Sequence, residues 1–243
     1  MCAVVLTLNE ERHLPDCLRS LAWADERVVF DSYSGDRTCE IAREQGARVI
    51  QHRFEDYAGQ RNAALERVEA DWVFFVDADE RATPPLAEEV RDVIRQTERA
   101  GWWVPRHNYI FGRLTLHAGW HPDYQLRLLR RGRARYDPER PVHELVLLDG
   151  PEGYLRNSLV HLNYDTVGEF IARQYRYADY DAGILRRSGR RPKWQHFLSG
   201  PARQFFWRWV TLQGYRDGWH GLRLSALMAY FEWVKLRRAA RGA

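Results

Sequence analysis

Four short apolar runs, Ala3–Leu8, Arg27–Phe30, Arg48–Gln51 and Asp71–Val76, alternate with stretches of helical spacing. Leu14, Cys17, Leu18 and Leu21 mark one helix, Thr38–Gln45 closed by Gly46 a second, and Gln60–Val68 a third. Pro84-Pro85 open a fourth, which the pattern carries to about Arg99, since proline suits a first turn. This alternation predicts an α/β fold: a mostly parallel sheet flanked by helices on both faces. Ligands of such sheets bind beyond the carboxyl ends of the strands. Three of the runs end in polar clusters, Asn9-Glu10-Glu11, Asp31-Ser32 and Asp77-Ala78-Asp79, which parallel pairing would gather on one rim.

The last cluster poses a physical question. V-F-F-V-D-A-D-E-R at 73–81 is apolar enough for a buried strand, yet it ends in three acids within four positions. An unpaired buried carboxylate is costly, and three together repel one another. Either the chain surfaces there and the acids are solvated, or a cation compensates them. Paired carboxylates are hard oxygen ligands suited to Mg2+ or Mn2+. D-x-D alone is common; its place after a fourth strand and before Glu80 is more specific. Neither G-x-G-x-x-G nor G-x-x-x-x-G-K-[ST] occurs, so dinucleotide and P-loop chemistry lose their chief support.

Beyond Gly101 the pattern changes to strands at Trp102–Arg106, Gln125–Leu129 and Leu155–His161, then to helices at Phe170–Ala182, Leu198–Val210 and Leu222–Arg238. An exposed basic loop is expected at Arg186–Pro192 and a turn at Gly214–Gly218. The net charge of +4 conceals an uneven distribution. From Arg186 onward 13 Lys/Arg face 2 Asp/Glu, a balance of +11, while the rest of the chain stands at −7. A basic, aromatic tail on an acidic body is expected to meet something anionic. Cys2, Cys17 and Cys39 are odd in number and lack C-x-x-C spacing, so neither a disulfide framework nor a zinc site is indicated. With no basic leader at the N-terminus and no apolar run long enough to cross a bilayer, a cytoplasmic protein is expected.

T-L-N-E-E at 7–11, D-S-Y-S-G-D-R-T at 31–38, Q-R-N-A-A-L at 60–65 and V-D-A-D-E at 76–80 occur in that order. G-W-H-P-D-Y-Q-L-R-L-L-R-R at 119–131, V-H-E at 142–144 and D-G-W-H-G-L at 217–222 follow. Together they resemble family 2 glycosyltransferases, and within that family the bacterial branch containing lipopolysaccharide-core glucosyltransferases. The resemblance implies the GT-A fold, with a Rossmann-like nucleotide-sugar-binding half at 1–100 and an acceptor half at 101–165 in one catalytic domain, and a basic, aromatic helical C-terminal region at 166–243. It implies an inverting, metal-dependent hexosyltransferase that moves a sugar from a nucleotide-sugar donor, UDP-hexose foremost, to a hydroxyl of a glycan or lipid-linked acceptor such as lipopolysaccharide core.

By the same resemblance Thr7, Asn9 and Glu11 hold the base and ribose, with Asp31 as the acid beside them. Arg61 reaches the phosphates, Asp77 flanks the nucleotide and Asp79 ligates Mg2+ or Mn2+. Inversion also needs a base for the acceptor hydroxyl. The E-D pair that many members carry downstream of D-x-D is missing here. Glu144 is the expected base and Asp123 the alternative; His143 either ligates the metal or orients Glu144.

Leu227, Tyr230, Phe231 and Val234 share one helical face with Arg223, Lys235 and Arg238 outside it, and Phe205, Phe206, Trp207 and Trp209 lie beside Arg203 and Arg208. Such helices suit an anionic membrane surface, which would place the enzyme peripherally on the inner face of the cytoplasmic membrane. Packing within the protein, or a homodimer, would use the same faces. Two other function classes compete. A nucleotidyltransferase usually carries a Gly-rich basic loop after its first strand, where this chain has Asn9-Glu10-Glu11. A non-catalytic nucleic-acid or membrane-binding module leaves the rim acids unexplained, because they would repel phosphate; no nucleic-acid partner is expected.

Overall fold

The computed structural model describes residues 1–95, 98–139, 145–189 and 192–241. In chain order its elements begin β1 (Cys2–Thr7), α1 (Leu14–Ser20), β2 (Glu26–Asp31), α2 (Thr38–Glu44), β3 (Arg48–Gln51), α3 (Tyr57–Arg67), β4 (Trp72–Asp77), β5 (Glu80–Ala82) and α4 (Pro84–Val93). There follow β6 (Gly101–Ile110), β7 (Arg113–Thr115), β8 (Tyr124–Arg130), β9 (Ala134–Tyr136), β10 (Val146–Leu148), β11 (Glu152–Tyr154) and β12 (Leu159–Tyr164). Helices α5 (Val167–Arg187), α6 (His196–Phe206) and α7 (Gly218–Arg241) complete the chain, with a π-helical turn at Trp207–Thr211 and a 3-10 turn at Gly214–Asp217. They pack as two units, Met1–Arg106 with Asp123–His161, and His107–Pro122 with Leu162–Ala243.

The first unit is built on the order β3-β2-β1-β4-β8-β6. The first four strands are parallel; β8 then runs antiparallel to β4 and β6 antiparallel to β8, which makes the sheet mixed. Strand β4 shows why its sequence is continuously apolar. Val73 and Phe75 join one core with Val4, Phe30, Ala58 and Ala64, whereas Phe74 and Val76 join the other with Val5, Leu14, Leu18 and Leu86. With both faces covered, every position must be apolar. Each fully buried Phe contributes roughly 1.5–3 kcal/mol relative to exposure. The register sets the rim: Thr7 lies opposite Asp31, and Leu6 opposite Asp77.

Two expected elements differ. The fourth helix stops at Val93, where the Arg95 N–H turns back to the Asp92 carbonyl at 3.3 Å. Of the expected strand Leu155–His161, only Leu159–His161 are strand, the start of β12; Leu155–Ser158 link β11 to it. Between them, Glu89 of α4 accepts the backbone N–H groups of Arg156 and Asn157, both at 2.9 Å, and removes that segment from strand pairing.

In the second unit Phe111 and Gly112 turn β6 into β7 with φ of 53° and 73°. Two residues at positive φ match the twist of a tight hairpin, and glycine takes the second position without cost. The core comprises Ile110, Tyr164, Phe170, Ala178, Leu224, Phe231 and Val234. The α7 face containing Phe231 and Val234 is therefore internal, covered by α5. Thr166 caps α5 by accepting from Glu169 N at 3.1 Å. Among the described residues, no helix is long and apolar enough to cross a membrane.

Candidate active site

The loops after β1 and β2 are laced together across the rim. Thr7 Oγ1 donates to Asp31 Oδ1 at 3.0 Å, Asn9 N donates to Ser34 Oγ at 2.8 Å, and Gly35 N returns to Asn9 Oδ1 at 2.8 Å. Glu11 N donates to Asp36 Oδ2 and Arg37 N to Glu11 Oε2, each at 3.1 Å. Asn9 adopts φ 58° and Tyr33 φ 63°, left-handed conformations fixed by this lacing. The side chains of Leu8 and Tyr33 stand exposed at its edge.

Asp31 is fully buried and also accepts from the Ser34 hydroxyl, from Ser34 N at 2.9 Å and from Gln51 Nε2 at 3.3 Å. Burial disfavours its charge, but these donors outweigh burial and hold the carboxyl below its usual range. Asp31 thus fastens the second loop at the rim.

The motif Q-R-N at 60–62 works in the same way. Gln60 Nε2 donates to Ser32 Oγ at 3.0 Å, and its Oε1 meets His52 Nδ1 at 2.7 Å. Asn62 exchanges two hydrogen bonds with the Tyr136 backbone, at 2.9 and 2.8 Å. Arg61 is buried, its guanidinium lies over the rings of Phe75 and Tyr136, and Nη2 reaches Asp77 Oδ1 at 3.2 Å. It supplies a counter-charge to Asp77 at the end of β4.

The three acids of D-A-D-E are therefore compensated mainly by the protein. Asp77 receives Arg61 and both terminal nitrogens of Arg127, Nη1 at 3.1 Å and Nη2 closer. Burial opposes the Asp77 charge, yet the two guanidiniums hold its pKa far below the carboxylate range. Glu80, fully buried, accepts from Arg106 at 3.1 Å, from Arg127 at 3.3 Å and from the Asp77 backbone N–H at 2.9 Å. Arg106 also clamps Asp123 through Nε at 2.9 Å and Nη2 at 2.8 Å, while Gln125 donates to its other oxygen at 2.9 Å.

Three arginines thus meet Asp77, Glu80 and Asp123, whereas Asp79 has no arginine hydrogen bond among the described residues and feels the more distant charge of Arg81. A quarter of the Asp79 side chain is exposed, and its contact among the described residues is His161 Nε2, 3.4 Å from Oδ2. Asp79 and His161 form a carboxylate and imidazole pair at the mouth of the rim. Arg106, Arg127 and His161 escaped sequence reasoning because they arrive from β6, β8 and β12. The one trace is the charged residue inside the otherwise apolar Leu126–Leu129 and Leu159–Leu162 runs. His143 and Glu144 lie outside the described residues. Among those described, no group of three acids, histidines and cysteines gathers as metal ligands.

The acid-bearing rim lies at the carboxyl ends of the parallel strands, where sheets of this kind bind their ligands. The chain belongs to glycosyl transferase family 2, whose profile matches residues 2–161. Lipopolysaccharide core biosynthesis glycosyltransferase LpsC of Rhizobium meliloti (strain 1021) is 32% identical over 213 residues, 83% of this chain and 77% of that protein. Mannosyltransferase PcManGT from Pyrobaculum calidifontis, solved with GDP-Man and Mn2+, superposes with a TM-score of 0.56 at 14% identity, over 98% of this chain and 86% of that one. S. aureus TarS 1-349 superposes with a TM-score of 0.50 at 15% identity, over 98% and 88%. The sheet is that of the GT-A fold, and the enzyme is a glycosyltransferase.

Proposed function

We propose that this enzyme moves a hexose from a UDP-sugar to a hydroxyl of a glycan or lipid-linked acceptor of the lipopolysaccharide-core kind, with inversion, and that it needs a divalent cation. The carrying observation is Asp79: unlike Asp77, Glu80 and Asp123 it is clamped by no arginine among the described residues, and it stands partly exposed beside His161 with Arg81 as its more distant counter-charge. Asp79 and His161 would hold the ion; an oxygen and a nitrogen donor together favour Mn2+, whereas Mg2+ would rest on the carboxylate alone. His143 is the alternative nitrogen ligand. The bound ion supplies charge compensation for the departing nucleoside diphosphate.

The chain's own groups do the rest. Arg61, Arg127 and Glu80 hold Asp77 at the end of β4, and the laced loops carry Asn9, Glu11 and Tyr33 toward the nucleoside. Glu144 takes the acceptor proton as that oxygen attacks the anomeric carbon opposite the breaking bond. Asp123 is the weaker choice of base, because Arg106 and Gln125 already occupy its carboxylate. The name of the Rhizobium relative supports an acceptor of the lipopolysaccharide-core kind, which would place the enzyme at the inner membrane face.

Hydrolysis of UDP-glucose, followed by release of UDP, tests this reading. Activity should vanish in excess EDTA, return with Mn2+, and fall by roughly a hundredfold or more in Glu144→Gln, the scale of general-base loss. Full activity in EDTA would remove the cation from the reading.

A further inference from the structure

Helix α6 presents an apolar stripe that nothing in its own unit covers. Leu198 is 72% exposed, Phe206 62% and Val210 42%, and Ala202 between them is exposed too. These positions repeat every fourth residue. An α-helix drifts by about 40° over four residues, and the π-helical turn Trp207–Thr211, closed by Leu212 N to Trp207 O at 2.8 Å, counters that drift so that Val210 stays in line. The opposite side of α6 is fixed by Gly200, buried where an added Cβ would lie 3.0 Å from Leu236 of α7. Two indoles of the same unit are more exposed still: Trp194, one turn before Leu198 in the chain, at 77%, and Trp219 in the first turn of α7 at 84%. Trp219 also borders an apolar hollow of about 290 Å3 with Trp209 and Leu222.

The surrounding charge has one sign. Lys193, Arg203 and Arg216 are exposed beside these residues, and Arg186 and Arg187 are exposed at the end of α5. The two acids of this stretch are turned away: Asp217 accepts from His117 N at 2.9 Å, and Glu232 pairs with Lys235. A second copy of the chain would set this basic surface against its like, whereas an anionic bilayer complements it.

We propose that Leu198, Ala202, Phe206 and Val210, with Trp194 and Trp219, insert into the interfacial layer of an anionic lipid bilayer while the surrounding Lys and Arg residues meet its headgroups. Exposed Trp and Phe beside Lys and Arg are the composition of an interfacial surface. This assignment concerns α6 and the start of α7 and stands apart from the donor chemistry of the first unit.

Co-sedimentation with phosphatidylcholine vesicles, with and without phosphatidylglycerol, at low and high salt, tests it. Wild type should pellet with the phosphatidylglycerol vesicles and keep a residual fraction at high salt, since apolar contact is not screened. Phe206→Ser with Trp219→Ser, and separately Trp194→Ser with Leu198→Ser, should weaken partition at least about tenfold, because binding scales with apolar area. Both variants should keep the wild-type unfolding midpoint and the UDP-induced thermal shift, which separates this test from the donor reading. Partition equal to wild type in both variants would overturn the proposal, as would no binding of wild type to either vesicle. So would light scattering that shows a dimer split by the substitutions without vesicle binding.

Discussion

Asp77 and Glu80 are acids because arginines need them, and Asp79 is an acid for a different reason. The sequence displays all three with equal prominence, so it leaves solvation and a compensating cation as alternatives for the whole cluster. Its compensation is invisible there, since Arg127 and Arg106 come from distant antiparallel strands whose pairing no local pattern declares. Arg127 is buried and shared by two carboxylates, and its guanidinium is held charged well beyond its usual range as those carboxylates outweigh its burial. Arg127→Met should therefore cost about 3–5 kcal/mol, the scale of a broken buried pair, read by urea unfolding. A loss below 1 kcal/mol would mean that water, not Arg127, balances those acids.

Among the elements, the buried strands of the parallel sheet were legible as short apolar runs because both their faces are covered, and the helices between them because one covered face imposes a helical period. The three-residue strands β5, β7, β9, β10 and β11 were not, since three residues carry no pattern. The interruption between β11 and β12 was hidden for another reason: Glu89 acts through space from α4. In helix α3, Asn62 beside Arg61 has an architectural part that no sequence pattern announces, tying the helix to β9 through two bonds to the Tyr136 backbone. Asn62→Ala leaves both Tyr136 groups without that partner and should cost about 1–3 kcal/mol. Faster amide exchange in β9 than in β1 should accompany it; uniform exchange would place the loss elsewhere.

At the scale of the molecule, the carboxylates of the rim make the fold sensitive to acid. Asp31 and Asp36 have pKa values lowered below the ordinary 3.8, in each case because hydrogen-bond donors outweigh burial, and Asp77 is lowered by its arginines. A lowered folded-state pKa adds stability above the unfolded value, and that stability is lost as pH falls through the folded one. Stability should hold at neutral pH and fall progressively below about pH 4, and Asp31→Asn should flatten that slope. An unchanged slope in the variant would remove Asp31 from the acid response. The tail's charge was plain in the sequence, but which apolar face stays outside was not. Phe231 and Val234 of α7 are core, and the open face belongs to α6.

The central claim is that Asp79 serves a ligand while its neighbour Glu80 serves the fold. Thermal unfolding of Asp79→Asn and Glu80→Gln, each with and without UDP and Mn2+ together, tests it most directly. Asp79→Asn should melt like wild type but lose the stabilisation that UDP gains from Mn2+. Glu80→Gln should melt lower, by an amount equivalent to about 3 kcal/mol, since it uncovers two buried guanidiniums. An Asp79→Asn protein that keeps the Mn2+-dependent shift, or that melts as low as Glu80→Gln, would contradict the account.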